Sequence, residues 1–265
     1  NTITIAAGKE IILDLNGKVV SYESAVVGED MITNKGKLTI ESSVEGGKLT
    51  YKNTDETGAN VTISTISTEP GSELIINGGI IENTSLANNT SKVLVPYTID
   101  ILTNGNLGDV TVTINGGSII SENYIAIRQF VNGNVCNNSL TVKGGSITAK
   151  KRAINVQDAQ GGGQVKNCAK LHVEKGEITA TEDGGYSICN FANSENISVI
   201  GGTFVGAVYS AVNGIISGGT FDAEPYYAYC AEGFAAVNNG DGTWTVMPLQ
   251  KQNLVKGWNW YSSYL

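Results

Sequence analysis

Short runs of alternating apolar and polar residues recur along the chain on either side of a two-residue turn that is usually Gly-Gly. In order they read LDLNGKVVS, SSVEGGKLTY, LIINGGIIEN, VTINGGSIIS, LTVKGGSITA, LHVEKGEITA, ISVIGGTFVG and GIISGGTFDA. The first turn residues are Gly17, Gly46, Gly78, Gly116, Gly144, Lys175, Gly201 and Gly218, separated by 29, 32, 38, 28, 31, 26 and 17 residues. Two positions before the turn stand Leu15, Val44, Ile76, Ile114, Val142, Val173, Val199 and Ile216, and three positions after it Val20, Leu49, Ile81, Ile119, Ile147, Ile178, Phe204 and Phe221. Strand side chains alternate between faces, so these two columns point inward while Thr113, Thr141, His172 and Ser198 point out. A third apolar patch follows each unit: IAIRQF at 125–130, AINVQ at 153–157, YSICNF at 186–191, YSAVNG at 209–214 and YAYC at 227–230.

Three strands per period of about 29 residues predict a triangular coil. Stacked coils make an all-β, right-handed parallel β-helix of roughly 8–9 coils with three parallel sheets. A propeller blade would repeat at a fixed length with its own aromatic signature. Here the spacing drifts while the columns stay in register, which suits coils with loops of free length.

The two ends read differently. Asn1–Gly8 is expected to form an incomplete first coil. FAAV and TWTV flank Asn238-Asn239-Gly240-Asp241-Gly242, the pattern of a hairpin. The expected organisation is a β-helix over 1–230, a capping hairpin over 231–248, and a linker or the start of a further module over 249–265. Trp244 is expected to pack on Phe221 or Tyr229. The competing role for Tyr226, Tyr227 and Trp244 is ligand binding, since exposed aromatic faces stack on sugar rings.

Composition narrows the function classes. The 33 glycines, 4 prolines and 16% charged residues favour strands and turns over helices. A net charge of −8 repels phosphate backbones and anionic membrane surfaces, which argues against nucleic acid as a partner. No apolar run is long enough to span a bilayer, so no membrane insertion is expected within the chain. Cys136, Cys168, Cys189 and Cys230 show no CxxC spacing and read as buried apolar residues, with a disulfide as the minor alternative.

The opening ITIAAGKEIILDLNGKVVS resembles the first coil of pectate-lyase-like right-handed β-helix proteins of bacterial surfaces. AEGFAAVNNGDGTWTV at 231–246 is similar to the segment that closes such coils in large secreted proteins, and NLVKGWNWYSSYL resembles the start of a further module in Bacteroidetes surface proteins. The likeness covers the chain at the level of architecture. It implies a secreted or cell-surface bacterial protein whose signal peptide is absent from this chain, with further domains in the same polypeptide. Trp258, Trp260 and Tyr261 are large apolar groups near the terminus with little sequence left to bury them.

Enzymes on this scaffold combine Ca²⁺-binding aspartates with an arginine or lysine base, or cluster aspartates as acid and base. The nine aspartates here form no shared column and no Asp-Asp pair. His172, the single histidine, has no neighbouring ligand pattern for a metal. The remaining constellation is Arg128 and Arg152 with Lys151, Asp158, Glu182 and Asp183. It reads either as a proton-abstracting site beside a uronate with Ca²⁺ or as an outward charge ladder that keeps the solenoid soluble. The expected function is therefore a non-catalytic surface module, adhesin-like or a spacer, binding a polysaccharide or a cell-surface glycoprotein. The alternative is a polysaccharide lyase or glycoside hydrolase, and only that alternative calls for a cofactor, Ca²⁺.

Overall fold

The computed structural model describes residues 2–55, 61–87, 94–104, 108–132, 137–158, 168–192 and 194–250. Within them the chain is a parallel β-helix of three sheets. Sheet A holds Ile3–Ile5, Ile32–Asn34, Val61–Thr68, Leu94–Asn104, Ile125–Asn132, Arg152–Asp158, Tyr186–Asn190 and Ala207–Ser210. Sheet B begins with Glu10–Asp14 and ends with Ile197–Val199, and sheet C runs from Val19–Ser24 to Thr220–Phe221. Each coil visits A, B and C in turn. Seven coils carry all three strands, and in an eighth the sheet B strand is reduced to a bridge between Val199 and Ile216.

The inward columns hold from the third coil onward. Ile76, Ile114, Val142, Val173 and Val199 are fully buried, as are Ile81, Ile119, Ile147, Ile178 and Phe204. Two expected members depart. Val44 is 52% exposed, because its inward place is taken by Ile40, in register with Ile76. Val20 stays in register with Leu49 yet is 39% exposed, since its strand pairs on one side only. The first coil itself is complete: Ile3–Ile5 pairs with Ile32–Asn34 as a full member of sheet A.

The Gly-Gly turns stack as closely as the strands. Gly145 has φ +78°, and a Cβ there would lie 2.5 Å from the Gly117 carbonyl oxygen of the previous coil. Only a residue without a side chain meets both conditions.

Phe234–Asn238 and Trp244–Pro248 form an antiparallel hairpin. Its second strand joins sheet C antiparallel to Thr220–Phe221 and sets Trp244 opposite Phe221. That hairpin covers the last parallel edge of sheet C, which would otherwise offer unpaired backbone groups. The YAYC patch departs from expectation: Tyr227–Tyr229 is a 3-10 turn, and only Cys230 returns to pair, bridging to Ile216. Cys168, Cys189 and Cys230 are free thiols. Cys136 and the aromatic residues Trp258, Trp260 and Tyr261 lie outside the described residues.

Candidate functional site

Sheet A carries an outward row that crosses six coils in register: Ser67, Asp100, Arg128, Asn155, Cys189 and Tyr209. Strand alternation sends these residues away from the Ile99, Ile127, Ile154 and Ile188 column inside. The row divides into two halves of different character.

In the first half the outward charges are buried. Arg128 is 8% exposed and Asp100 2%, and the guanidinium grips the carboxylate with two hydrogen bonds, Nε to Oδ1 at 2.7 Å and Nη2 to Oδ2 at 2.5 Å. Its flat face lies 4.3 Å from the Tyr97 ring centre and 4.9 Å from that of Phe130. The outward charge ladder expected for Arg128 is thus corrected. The direction is outward, but neighbouring side chains desolvate the charge and a carboxylate one coil earlier neutralises it. Burial pushes the Asp100 carboxyl upward against the pull of Arg128. For Arg128 burial works against the charge, and the bonds and charge of Asp100 outweigh it.

Asp30 sits beside this pair. Its Oδ1 accepts the Ser64 backbone N–H at 2.6 Å and the Ser64 hydroxyl at 2.8 Å. Burial is the main cause that lifts its pKa to about 6, with the charge of Asp100 adding to the rise. A carboxyl whose folded pKa lies above its unfolded value stabilises the fold at low pH. That contribution is complete below about pH 4 and is lost as pH rises through about 6. Asp30→Asn is therefore expected to stabilise the protein by about 1–3 kcal/mol at pH 7 and to flatten the stability profile between pH 4 and 6. Urea unfolding across that range checks it.

In the second half Asn155 and Cys189 are buried beneath an exposed aromatic pair. Phe191 is 43% and Tyr209 38% exposed, with ring centres 5.1 Å apart. The Arg152 guanidinium lies 5.3 Å from the Phe191 ring centre and is steadied by an Nη1 hydrogen bond to Asn155 Oδ1 at 3.1 Å. Asn155 in turn donates to Gln157 at 2.6 Å. Cys189, under this patch, is buried, and burial pushes its thiol up to about 11, which keeps it a thiol rather than a nucleophilic thiolate at neutral pH.

The sequence candidates are only partly brought together. Lys151, Arg152 and Glu182 line one shallow depression of about 140 Å³ with Tyr186. The turn holding Glu182 is stacked on the one holding Lys151, through Glu182 N–H to Lys150 carbonyl and Tyr186 N–H to Lys151 carbonyl bonds. Asp183 is exposed in the same turn. Lys151 extends toward Tyr124, its Nζ 5.5 Å from the ring centre. Asp158 closes the strand that Arg152 opens, roughly 20 Å away at strand rise. Arg128 is engaged with Asp100 and stands apart from the depression. Tyr226 and Tyr227 are 54% and 77% exposed, with rings 4.7 Å apart, while Trp244 is half-buried in the hairpin.

Sequence reasoning missed Asp30, Tyr97, Asp100, Phe191 and Tyr209. For Asp100 a signal existed, since laying IDIL at 99–102 over IRQF at 127–130 puts Asp100 against Arg128. Among the described residues, no group of three or more His, Cys, Asp or Glu is placed to hold a metal ion, and no helix is long and apolar enough to cross a membrane. The fold defines the class: a parallel β-helix with an aromatic and cationic outer face on one sheet. Comparison with known proteins finds no matching family model, no matching curated protein and no matching solved structure.

Proposed function

We propose that the chain is a glycan-binding module of a secreted or cell-surface protein, adhesin-like and non-catalytic at its sheet A face, of the pectate-lyase-like kind found on bacterial surfaces. Its partner is a polysaccharide or the glycan of a surface glycoprotein, and further domains of the same polypeptide carry it. The observation behind this reading is the Arg152–Phe191–Tyr209 patch. Two exposed rings and a braced cation stand on a rigid sheet whose coils repeat at about 4.8 Å. Flat apolar rings present their faces to the C–H side of a sugar, and the guanidinium supplies directional donors to its hydroxyls. Tyr226 and Tyr227 offer a second aromatic pair.

The test is a screen of plant, host and bacterial polysaccharides, followed by calorimetry on the best ligand. Phe191→Ala with Tyr209→Ala is expected to weaken binding by about ten-fold or more, the sum of two aromatic contacts. The melting temperature should hold, because both rings are exposed. Unchanged affinity in that double variant overturns the assignment of the patch.

A second reading, a polysaccharide lyase or hydrolase, draws on the depression where Lys151, Arg152 and Glu182 meet. The same screen run with Ca²⁺ and followed at the absorbance of unsaturated products separates the two. Turnover that is lost in Arg152→Ala favours the enzyme.

A further inference from the structure

Sheet B has its own feature on its outer face. Three neighbouring strands, Asn138–Val142, Ala169–Val173 and Ile197–Val199, form a groove of about 470 Å³ lined by Ser139, Thr141, Lys170, His172, Asn196 and Ser198. Register places His172 between Thr141 and Ser198. The Ser198 Oγ is 2.6 Å from His172 Nδ1, and Glu174 Oε1 is 3.6 Å from His172 Nε2. Glu174 follows His172 by two positions, one residue past the end of the strand.

We propose that Ser198, His172 and Glu174 form a hydrolytic site for acyl esters, acting on acylated sugars. A base must lie within hydrogen-bond reach of its nucleophile, as His172 does of Ser198, and the Glu174 carboxylate stands 3.6 Å from the other imidazole nitrogen, a separation that closes to a hydrogen bond on substrate binding in the proposed site. Such constellations are recognised by geometry and roles and recur on unrelated folds. Glu174 is the positioning residue. Its carboxylate favours the tautomer with the proton on Nε2, which leaves Nδ1 to accept the Ser198 hydroxyl proton.

The step balances without any further reagent but water. The Ser198 oxygen bonds to the acyl carbon as its proton passes to His172 Nδ1. Lys170, which lines the same groove, is the cation available to the charge that develops on the acyl oxygen. The ester C–O bond then breaks, and His172 returns the proton to the departing sugar oxygen. Water, deprotonated by His172, cleaves the acyl-Ser198 bond, restores the hydroxyl and releases the carboxylic acid.

The sugar part of this substrate rests on the glycan-binding reading. The hydrolytic chemistry does not, so the probes are p-nitrophenyl acetate and a fluorophosphonate, neither of which is a sugar. The intact chain is expected to release p-nitrophenol and to carry one phosphonyl group on Ser198 by peptide mass spectrometry. Ser198→Ala should lose labelling and lower kcat/KM by about 100-fold or more, and His172→Gln should do the same. Glu174→Gln should lower kcat with KM unchanged, and Glu174→Asp should recover part of the loss. All three positions are on a partly exposed outer face, and equal melting temperatures confirm that each variant folds. Hydrolysis equal in the parent and Ser198→Ala, with no label on Ser198, overturns the proposal, because it assigns the rate to a bare imidazole. Glycan binding lost only through Phe191 and Tyr209 would then stand independently.

Discussion

Arg128→Ala is expected to lower stability by about 3–5 kcal/mol, the loss that follows when a buried ion pair is broken from one side. An arginine on a soluble outer face would cost under about 1 kcal/mol. Arg128 differs because both partners are desolvated, at 8% and 2% exposure. Removing the guanidinium strands the Asp100 carboxylate with no counter-charge and two lost donors. It also empties the space between the Tyr97 and Phe130 rings, so lost packing adds to lost charge. The double replacement Arg128→Met with Asp100→Leu is expected to regain most of the stability, since similar apolar volume then fills the site. Arg152→Ala is the internal comparison, half-exposed and without a carboxylate partner among the described salt bridges; it should shift stability by under about 1 kcal/mol. Thermal melts of the three variants decide the matter, with Arg128→Ala expected to fall by on the order of 10 °C. Equal melting of Arg128→Ala and Arg152→Ala would mean that the pair is solvated after all.

Arg128 also marks the limit of what alternation can reveal. Period two assigns a side chain to a face, and Arg128 does face outward. It carries no information on whether other side chains cover that face, which depends on Tyr97, Asp100 and Phe130 arriving from the same strand and the coil before. The core was more legible, because an inward aliphatic position repeats whatever the loop lengths are. Ile114, Val142 and Val173 could be aligned from the Gly-Gly turn alone. The same counting failed at Val44, since the stretch from Ile40 to Leu49 is four residues longer than the matching Ile76 to Ile81. Those extra residues form a wider turn and carry Val44 out to solvent. Phe191 and Tyr209 escaped notice for a different reason. In sequence each lies near an apolar strand and resembles core, and only the register of Cys189 with Tyr209 sets the rings together on the outer surface. His172 was correctly placed on the outer face with Thr141 and Ser198, but its contact with Ser198 depends on which strands lie side by side.

Ile147→Asp is expected to abolish folding, whereas Thr148→Asp should be tolerated within about 0.5 kcal/mol. The two positions are adjacent in sequence and opposite in environment. Ile147 is fully buried and stacked in register between Ile119 and Ile178. A carboxylate there meets only aliphatic neighbours above and below, and burying it without a partner costs several kcal/mol. The architecture enlarges the effect. Each coil of a solenoid contacts only its neighbours, so a defect in a middle coil removes the interface on both sides and separates the array into two shorter pieces. Neither piece keeps a continuous core across the break. Thr148 lies on the outer face beside Ile120 and Thr179, where water solvates an added charge. Far-UV circular dichroism and sedimentation of the two variants check the pair together. A cooperatively melting Ile147→Asp would contradict the inward register, and a Thr148→Asp as damaged as Ile147→Asp would mean that the outer face of sheet C is itself covered.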